Sequence, residues 1–288
     1  MDTYKELSQK IPWTSFGRET VISRVAQSIL PVGFLPYVPL PYSETSPLLY
    51  FDGPEPENYM MHIVGTAIQA GDGKLVTCTH VVDALKTQPD NSYLIARMYD
   101  GTRVLCQPYR IPSVVPYYDP RTSQPNATVD LSVLIVPVQR TEAYPYDVPI
   151  VEWADSSQVG VGDPVIVGGY PLGRDMFLKA ASNRGLVQPT FYSGIISAVI
   201  PAMETTEARL FQVSIPVAGG MSGGAVLDPE TGNVIGMITS CMTINSIPLP
   251  MSYAIPSEVI APFIEVTSFE ARFGETWISS KGTTSSAT

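Results

Sequence analysis

The sequence predicts an all-β protein, and three of its patterns support this prediction. Apolar runs of strand length at residues 59–68 and 75–79 flank the glycine-rich turn QAGDGK, as the two strands of a β-hairpin do. The runs at residues 225–227 and 234–238 flank the turn DPETGN in the same way. Seven prolines within residues 31–56 exclude a helix and a central strand there, because proline removes a backbone donor and fixes φ.

The first 58 residues are interpreted as a proline-rich N-terminal extension. Residues 15–30 fit either a short helix, with apolar β-branched residues four apart, or an opening strand of the first β unit. Residues 31–56 interleave proline with aromatic residues and are expected to be extended. We expect the extension to pack on the first β unit as a structural wrap. The alternative is a regulatory or oligomerising arm.

Two β units are expected to follow the extension. Residues 59–140 would form the first unit and residues 151–265 the second. The linker between them, residues 141–150, is punctuated by two prolines. Residues 266–288 form a tail whose serine, threonine and glycine content is typical of a flexible end.

A serine lies between paired glycines in the segment GGMSGG, residues 219–224. Glycine adopts backbone dihedrals that a Cβ forbids, and it lets the backbone approach a ligand closely. A predicted hairpin over residues 225–238 begins directly after this segment, so Ser222 would stand at its mouth. The arrangement fits a catalytic nucleophile, or merely a tight turn.

The chain contains only two histidines, His62 and His80. A serine hydroxyl is a weak nucleophile at neutral pH and needs an imidazole base that a third group orients. His80 follows the apolar run KLVTCT, and Asp130 directly precedes the run LSVLIV. A carboxylate beside a buried strand costs free energy unless a donor satisfies it, and an imidazole N–H is such a donor. His62 alternates with apolar residues and is interpreted as a strand-surface or satisfied core residue.

The chain order of the candidates separates the families that share a glycine-flanked serine. Gly220-x-Ser222-x-Gly224 also satisfies the elbow motif of α/β-hydrolases, but in that fold the histidine follows the serine. No histidine follows Ser222, so this alternative fails. The order His80, Asp130, Ser222, with separations of 50 and 92 residues, is that of chymotrypsin-type serine peptidases. The blocks THVV, DLSVL and GMSGG resemble the TNxHVV, DLAVL and GNSGG blocks of the HtrA (Deg) branch of trypsin-like peptidases.

Further blocks extend the resemblance over about residues 60–265. They are GTAI at residues 65–68, GDPVIVGGYPLG at 162–173, YSGIIS at 192–197 and YAIPS at 253–257. The resemblance implies a fold of two antiparallel six-stranded β-barrels of the chymotrypsin/trypsin type, with the active site between them.

The resemblance also implies a serine endopeptidase that hydrolyses peptide bonds of protein substrates through an acyl-enzyme. Ser222 would attack the scissile carbonyl, His80 would accept and return the proton, and Asp130 would orient the imidazole. The backbone N–H groups of Gly220 and Ser222 would form the oxyanion hole.

Substrate specificity is expected from the floor of the pocket, which in this family lies six residues before the nucleophile. Here that position is Pro216, followed by Val217 and Ala218. None of these residues is acidic, so the resemblance implies a small or medium aliphatic P1 side chain rather than lysine or arginine. The protein or peptide substrate should bind in an extended conformation, as an added strand. The strand that receives it would be Thr239, Ser240 and Cys241.

Met221 departs from the family pattern, because trypsins have aspartate at this position and HtrA proteins usually have asparagine. Methionine cannot pair with a new N-terminal amine, so trypsin-style zymogen activation is not expected. Whether the oxyanion loop is ordered at rest is left open. Residues 172–189 form a long insertion where the HtrA branch has mobile loops that order the active site. The alternative function is a catalytically latent or silent protease-fold protein that binds peptides or regulatory partners.

The composition narrows the partners and cofactors. The formal net charge of −10 argues against nucleic acid as a partner. Neither a cofactor nor a metal ion is expected, because Cys78, Cys106 and Cys241 lack metal-ligand spacing and are interpreted as free thiols. Val81 stands where secreted trypsins place a disulfide cysteine.

The N-terminal segment and the length of the apolar runs bear on the compartment. The N-terminal segment MDTYKEL lacks the basic and apolar regions of a signal peptide, and no run reaches the roughly 18 apolar residues of a spanning helix. A cytoplasmic protein is therefore expected. HtrA relatives are often trimers, so a homo-oligomer and an activating partner are left open. The short stretch after Phe263 implies a protein without the PDZ domain that many HtrA proteins carry.

Overall fold

The structure is a computed structural model, and it describes twelve stretches of the 288-residue chain. These stretches are residues 21–34, 49–50, 62–71, 74–86, 94–98, 104–108, 113–125, 129–135, 150–171, 189–200, 209–244 and 247–267.

The first half of the described chain is one antiparallel sheet with a small ribbon beside it. The sheet has eight strands, in the spatial order β2-β6-β5-β1-β3-β4-β10-β7. They are β1 Ile29–Phe34, β2 Leu49–Tyr50, β3 His62–Gly71, β4 Lys74–Thr77, β5 Leu94–Met98, β6 Val104–Pro108, β7 Ser113–Pro116 and β10 Ser132–Ile135. The ribbon pairs β8 Tyr118–Asp119 with β9 Gln124–Pro125.

The second half is a closed six-stranded barrel in the order β11-β12-β13-β16-β15-β14. Its strands are β11 Pro164–Gly169, β12 Thr190–Ile200, β13 Leu210–Val213, β14 Ala225–Leu227, β15 Val234–Ile244 and β16 Ile247–Pro256. The helices in the described residues are short: α1 Val21–Val25, a 3-10 turn at Ala26–Ser28, α2 Thr79–Lys86 and α3 Ser257–Val266. No helix among them is long and apolar enough to cross a membrane.

Two apolar cores hold these layers together. One fills the second barrel and includes Val167, Phe211 and Met221, each fully buried. The other joins the first sheet to the outer face of the barrel and to α3, whose Phe263 contacts the Tyr117 ring edge-to-face at 5.1 Å between ring centroids. The continuous apolar runs predicted as strands are therefore buried on both faces, and the two halves share a core along their contact.

The all-β fold class is confirmed, as is a closed six-stranded barrel in the second half. In the described residues, the first half is one eight-stranded sheet, and closure of that half into a separate six-stranded barrel is not observed. The sheet has eight strands rather than six because it takes in β1 and β2 from the N-terminal 58 residues. β1 lies inside it, antiparallel to β3 on one side and to β5 on the other.

The two interpretations of residues 15–30 are each found in part. A helix covers Val21–Val25, and a strand begins at Ile29. Pro31 lies within that strand, opposite Thr66, so the expectation that the prolines exclude a central strand is wrong for β1. Proline is tolerated because β5 pairs with β1 only at Val32 and Gly33, which leaves Pro31 with a strand partner on one side. The remainder of the proline-rich segment, most of the predicted linker at 141–150, the insertion at 172–188 and the tail after residue 267 lie outside the described residues, as does the His62 side chain.

Candidate active site

His80 is placed by the junction between β4 and α2. All four residues of β4 are buried, and α2 packs Val81, Val82 and Leu85 into the core. His80 is the second residue of α2 and faces outward, with 52% of its side chain exposed. The Thr79 and Ser132 hydroxyl groups, 2.8 Å apart, join the start of this helix to β10.

Asp130 reaches His80 because β10 pairs antiparallel with β4, with Ser132 opposite Thr77. Its carboxylate contacts His80 twice. Oδ1 accepts the His80 backbone N–H at 3.0 Å, and Oδ2 lies 2.6 Å from His80 Nδ1. An ionised carboxylate only accepts hydrogen bonds, so Nδ1 carries the proton and Nε2 of the neutral ring is left as the acceptor.

Thr239, on β15 of the second barrel, makes a third contact with this carboxylate. Its hydroxyl group donates to Asp130 Oδ2 at 2.7 Å. Burial alone would raise the pKa of Asp130. The hydrogen bonds from the His80 ring, from Thr239 and from the His80 backbone together outweigh burial and hold this pKa below its usual value of 3.8.

The hydrogen bond to Asp130 raises the pKa of His80 above its usual value of 6.5. Partial burial of the ring acts in the opposite direction, and the negative charges of Asp130 and Asp83 add to the rise. His80 is therefore a stronger base than a free imidazole, and its neutral form prevails at a correspondingly higher pH.

Ser222 lies on the loop that leads into β14. In the described part of the chain, its hydroxyl group donates to the Thr239 backbone oxygen at 3.4 Å and makes no hydrogen bond to His80. Thr239 therefore contacts both sides of the site, Asp130 through its side chain and Ser222 through its backbone oxygen.

The loop around Ser222 is shaped by two glycines with positive φ, Gly220 at 94° and Gly223 at 86°. Gly223 N–H donates to the Ile238 oxygen at 2.8 Å, and Met221 N–H donates to the Ala218 oxygen at 3.2 Å. The N–H groups of Gly220 and Ser222 have no acceptor within the stretches that the structure describes. The Met221 side chain is fully buried in the core of the second barrel.

The residues expected to bind substrate occupy two stretches of the second barrel. In the first, Pro216 is exposed, Val217 is buried and Ala218 is half-buried. In the second, Thr239 is buried against Asp130, Ser240 is exposed and Cys241 is half-buried. β16 pairs with β15 through this second stretch, whereas the register of β14 with β15 ends at Met237. Within the described residues, residues 239–241 therefore have one edge without a strand partner.

Cys78, His80 and Asp130 could in principle hold a metal ion, because one ligand atom from each lies within 4.8 Å of the others. The 2.6 Å separation of Nδ1 and Oδ2 is a hydrogen-bond distance. Two such atoms around a tetrahedral zinc, each about 2.0 Å from the metal, would be roughly 3.3 Å apart. Burial and the charge of Asp130 raise the pKa of the Cys78 thiol well above 9.0, and the thiol lies 3.2 Å from the Ile238 oxygen. The geometry fits a hydrogen-bonded pair beside a neutral thiol better than a metal site.

Thr239 and Thr66 make contacts near the site that the sequence did not predict. The Thr239 hydroxyl contacts Asp130, although the sequence indicated only substrate binding at this position. Thr66, in the block GTAI, donates its hydroxyl hydrogen to the Gly220 oxygen at 2.7 Å. Neither contact has a local sequence signal, because the partners lie 109 and 154 residues apart in the chain.

Comparison with known proteins identifies the family. The family model for a trypsin-like peptidase domain matches residues 65–237. The serine protease Do-like HtrA of Lactococcus lactis subsp. lactis is 29% identical over 173 residues, which is 60% of this chain and 35% of the relative. The periplasmic serine endoprotease DegP of Salmonella typhimurium is 24% identical over 226 residues, 78% of this chain and 38% of the relative.

Among solved structures, the HtrA-type protease AlgW with decapeptide has a similar fold, with a TM-score of 0.54 and 21% sequence identity. That likeness covers 88% of this chain and 68% of the AlgW chain. The match spans less than two fifths of the length of the two bacterial proteases. The family model covers more than half of the chain, and both relatives belong to the HtrA branch. The chain belongs to the trypsin-like peptidase family.

Proposed function

We propose that this protein is a serine endopeptidase that cleaves protein substrates through an acyl-enzyme, with His80, Asp130 and Ser222 as the catalytic residues. The observation that carries the proposal is the 2.6 Å contact between His80 Nδ1 and Asp130 Oδ2. This contact selects the tautomer in which Nε2 is free to accept a proton. The same carboxylate also receives the Thr239 hydroxyl, on the strand that contacts Ser222.

The reaction follows from these roles. Ser222 Oγ forms a bond to the scissile carbonyl carbon, its proton passes to His80 Nε2, and the carbonyl electron pair moves to the oxygen. His80 then returns the proton to the leaving nitrogen as the C–N bond breaks, which leaves an ester on Ser222. A water molecule then attacks the ester carbonyl and gives a proton to His80 Nε2, and His80 returns that proton to Ser222 Oγ as the ester C–O bond breaks, which releases the acid and restores the serine. Asp130 stays ionised and stabilises the imidazolium that forms in each half-reaction.

The oxyanion would be bound by the backbone N–H groups of Gly220 and Ser222. These two donors have no acceptor within the described residues, so both are available to a ligand. By analogy with measured deletions, each donor would lower the barrier by about 3 kcal/mol. Gly220 has a φ of 94°, a conformation that strongly favours glycine at this position.

Peptide substrates are proposed to bind extended along residues 239–241. The open edge of β15 beside these residues offers backbone donors and acceptors to an added strand. AlgW, of similar fold, was solved with a decapeptide. Pro216, Val217 and Ala218, the residues expected at the floor of the pocket, carry no charge, which favours a small or medium aliphatic P1 side chain over lysine or arginine.

The alternative function is a latent or silent peptide-binding protein on the same fold. The observation that favours it is the Ser222 hydroxyl group, which contacts the Thr239 oxygen at 3.4 Å rather than His80. A contact of that length is weak, and catalytic hydrogen bonds are often long before substrate binds. A rotation about χ1 of Ser222 would redirect its hydroxyl group, so this contact carries less weight than the contact between His80 and Asp130, and the active peptidase is the main proposal.

The test combines a fluorophosphonate probe with a protein substrate. The wild-type protein is expected to be labelled stoichiometrically at Ser222, located by mass spectrometry, and to cleave unfolded casein. Ser222→Ala should lose both activities. Casein that survives prolonged incubation at mildly acidic to mildly basic pH would exclude constitutive peptidase activity. Labelling without casein cleavage would favour the latent protein.

A further inference from the structure

We propose that Thr66 is a positioning residue for the oxyanion loop, defined here as residues 219–222. The proposal rests on the proposed function and assigns a role to a residue outside the catalytic triad. Thr66 lies in β3 of the first sheet and is fully buried, whereas the loop belongs to the second barrel. It thus reaches the loop from the opposite side of the contact between the two halves.

Thr66 hydrogen-bonds the backbone carbonyl of each residue whose N–H group is a proposed oxyanion donor. Its hydroxyl group donates to the Gly220 oxygen at 2.7 Å, and its backbone N–H donates to the Ser222 oxygen at 2.8 Å. Both donor residues of the oxyanion hole are therefore anchored to one side chain and one amide of the same buried residue.

The anchor matters most at Gly220, because a glycine has few intrinsic limits on its dihedrals. Its carbonyl could rotate away from the observed direction at little steric cost. The hydrogen bond from Thr66 favours one orientation of the peptide plane that follows Gly220, and this plane leads through Met221 to Ser222. A preorganised oxyanion hole requires its two donors to be held in place before the reaction, since reorganisation during the reaction costs rate.

A second hydrogen bond, from Tyr170, favours the orientation in which the Thr66 hydroxyl group donates to the Gly220 oxygen. The Tyr170 backbone N–H donates to Thr66 Oγ1 at 3.1 Å, so the Thr66 hydroxyl hydrogen remains available for the Gly220 oxygen. Gly169 leaves room for this arrangement. A Cβ at Gly169 would lie 3.2 Å from Thr66 Oγ1 and 2.9 Å from Met221 Sδ.

β4, which pairs with β3 in the sheet, also contacts the Thr66 backbone. The Thr77 hydroxyl group, in β4, donates to the Thr66 oxygen at 2.7 Å. Position 221 carries an uncharged side chain, so the loop is anchored by neutral hydrogen bonds to Thr66 and by burial of Met221. The first sheet thereby contributes to the geometry of a site whose nucleophile and oxyanion donors all lie in the second half of the chain.

The test compares three variants by the second-order rate constant with which a fluorophosphonate probe labels Ser222. Thr66→Val keeps the shape and removes the hydroxyl, and Thr66→Ser restores it. The matched control is Thr267→Val, because Thr267 is also buried and donates to the Phe263 oxygen at 2.6 Å, at the end of α3. Loss of an oxyanion donor costs about 100- to 1,000-fold in rate, and misplacing both donors should cost about 10- to 100-fold.

We expect Thr66→Val to label about 10- to 100-fold more slowly than wild type, while Thr66→Ser and Thr267→Val stay within about twofold. With a fluorogenic peptide of aliphatic P1, the loss in Thr66→Val should fall on kcat rather than on KM. Folding of each variant is checked by thermal unfolding. If Thr66→Val does not fold, Thr66→Ala removes the same hydroxyl without adding a methyl group beside the Gly220 oxygen, and the same slow labelling is expected.

Wild-type rates in a folded Thr66→Val or Thr66→Ala protein would overturn the inference and leave the proposed function intact. Equal slowing in Thr267→Val would also overturn it, since the effect would then be general loosening. If wild type itself is not labelled at Ser222, the proposed function fails first, and the role of Thr66 fails with it.

Discussion

Thr239 donates its hydroxyl hydrogen to Asp130 Oδ2 at 2.7 Å, and the same oxygen lies 2.6 Å from His80 Nδ1. The second barrel thus supplies a donor to the carboxylate that is hydrogen-bonded to His80 in α2. Two donors on one oxygen favour its ionised form and limit its rotation. The position of His80 therefore depends on a residue of β15 as well as on Asp130.

Replacing Thr239 with valine is expected to slow catalysis and to destabilise the fold modestly. The pKa of Asp130 should rise, because a hydrogen bond that lowers it is lost. The free energy of unfolding should fall by about 1.5 kcal/mol, the lower end for a hydrogen bond to a charged group, because Asp130 is partly exposed. We expect kcat to drop about tenfold, as the imidazole is held less firmly.

Urea unfolding measures the loss of stability in Thr239→Val, and peptide hydrolysis measures the loss of kcat. Thr239→Ser, which keeps the hydroxyl group, should restore both quantities. A valine variant with wild-type kcat would contradict this role.

The rate of labelling at Ser222 should rise with pH through a midpoint above 6.5. In the proposed mechanism only neutral His80 can accept the Ser222 proton, and the hydrogen bond to Asp130 raises the pKa of His80 above that value. An imidazole without this hydrogen bond would give a midpoint near 6.5, the reference value for histidine. The measurement is the fluorophosphonate labelling rate over a pH series at constant ionic strength. A midpoint at or below 6.5 would show that Asp130 does not stabilise the imidazolium.

The pKa shifts of His80 and Asp130 also predict how the free energy of unfolding depends on pH. The pKa of His80 is raised on folding, so its contribution is complete below 6.5 and is lost as pH rises through the raised pKa. The pKa of Asp130 is lowered, so its contribution is present above 3.8 and is lost as pH falls through the lowered pKa. Because half of the His80 side chain is exposed, its hydrogen bond to Asp130 should add no more than about 1 kcal/mol to the free energy of unfolding.

Asp130→Asn should lower the pKa of His80 and reduce kcat by about 10,000-fold, as a neutral amide both removes the charge and favours the wrong tautomer. The asparagine Oδ1 can still accept the His80 backbone N–H, so the start of α2 should be preserved. The pKa is measured by NMR titration of the histidine ring protons. A His62→Gln background leaves His80 as the one histidine. An unchanged pKa in Asp130→Asn would disprove the coupling of the pair.

The glycines around Ser222 differ in whether the structure has room for a Cβ atom at their position. A Cβ at Gly223, where φ is 86°, would lie 1.8 Å from the Thr66 oxygen, so Gly223→Ala should prevent the loop from forming. A Cβ at Gly219 would meet nothing within 4 Å, so Gly219→Ala should retain near wild-type stability. Thermal unfolding and probe labelling of the two variants test this contrast. Equal loss of stability and labelling at both positions would mean that the loop does not have a positive φ and a close contact with Thr66 at Gly223.

The fold was predictable wherever a local pattern specifies it. The hairpin after Ser222 and the run after Asp130 could be identified as strands because apolar residues continue between turn residues. β1 was harder, since Pro31 inside a strand argues against a central position, and yet β1 pairs on both sides. The contacts of Thr66 and Thr239 were not predictable, because each joins residues more than 100 positions apart and a single threonine carries no pattern.

The buried side chain of Met221 is part of what anchors the oxyanion loop, so substitutions at this position should change the stability of the protein. Its side chain is fully buried in the core of the second barrel. Met221→Leu conserves volume and should cost less than about 1.5 kcal/mol of unfolding free energy. Met221→Asp would bury an unpaired carboxylate and should cost at least about 3 kcal/mol at neutral pH.

The cost of Met221→Asp should depend on pH in a direction that identifies its cause. Burial would raise the pKa of the introduced aspartate, so the penalty is full above that raised pKa and disappears below the unfolded value of about 3.9. Urea unfolding of both variants, each measured against wild type at neutral and acidic pH, separates the carboxylate from the lost methionine packing. If Met221→Asp were as stable as Met221→Leu at neutral pH, a cationic group would have to reach position 221. The neutral anchoring of the loop through Thr66 would then not be what holds it.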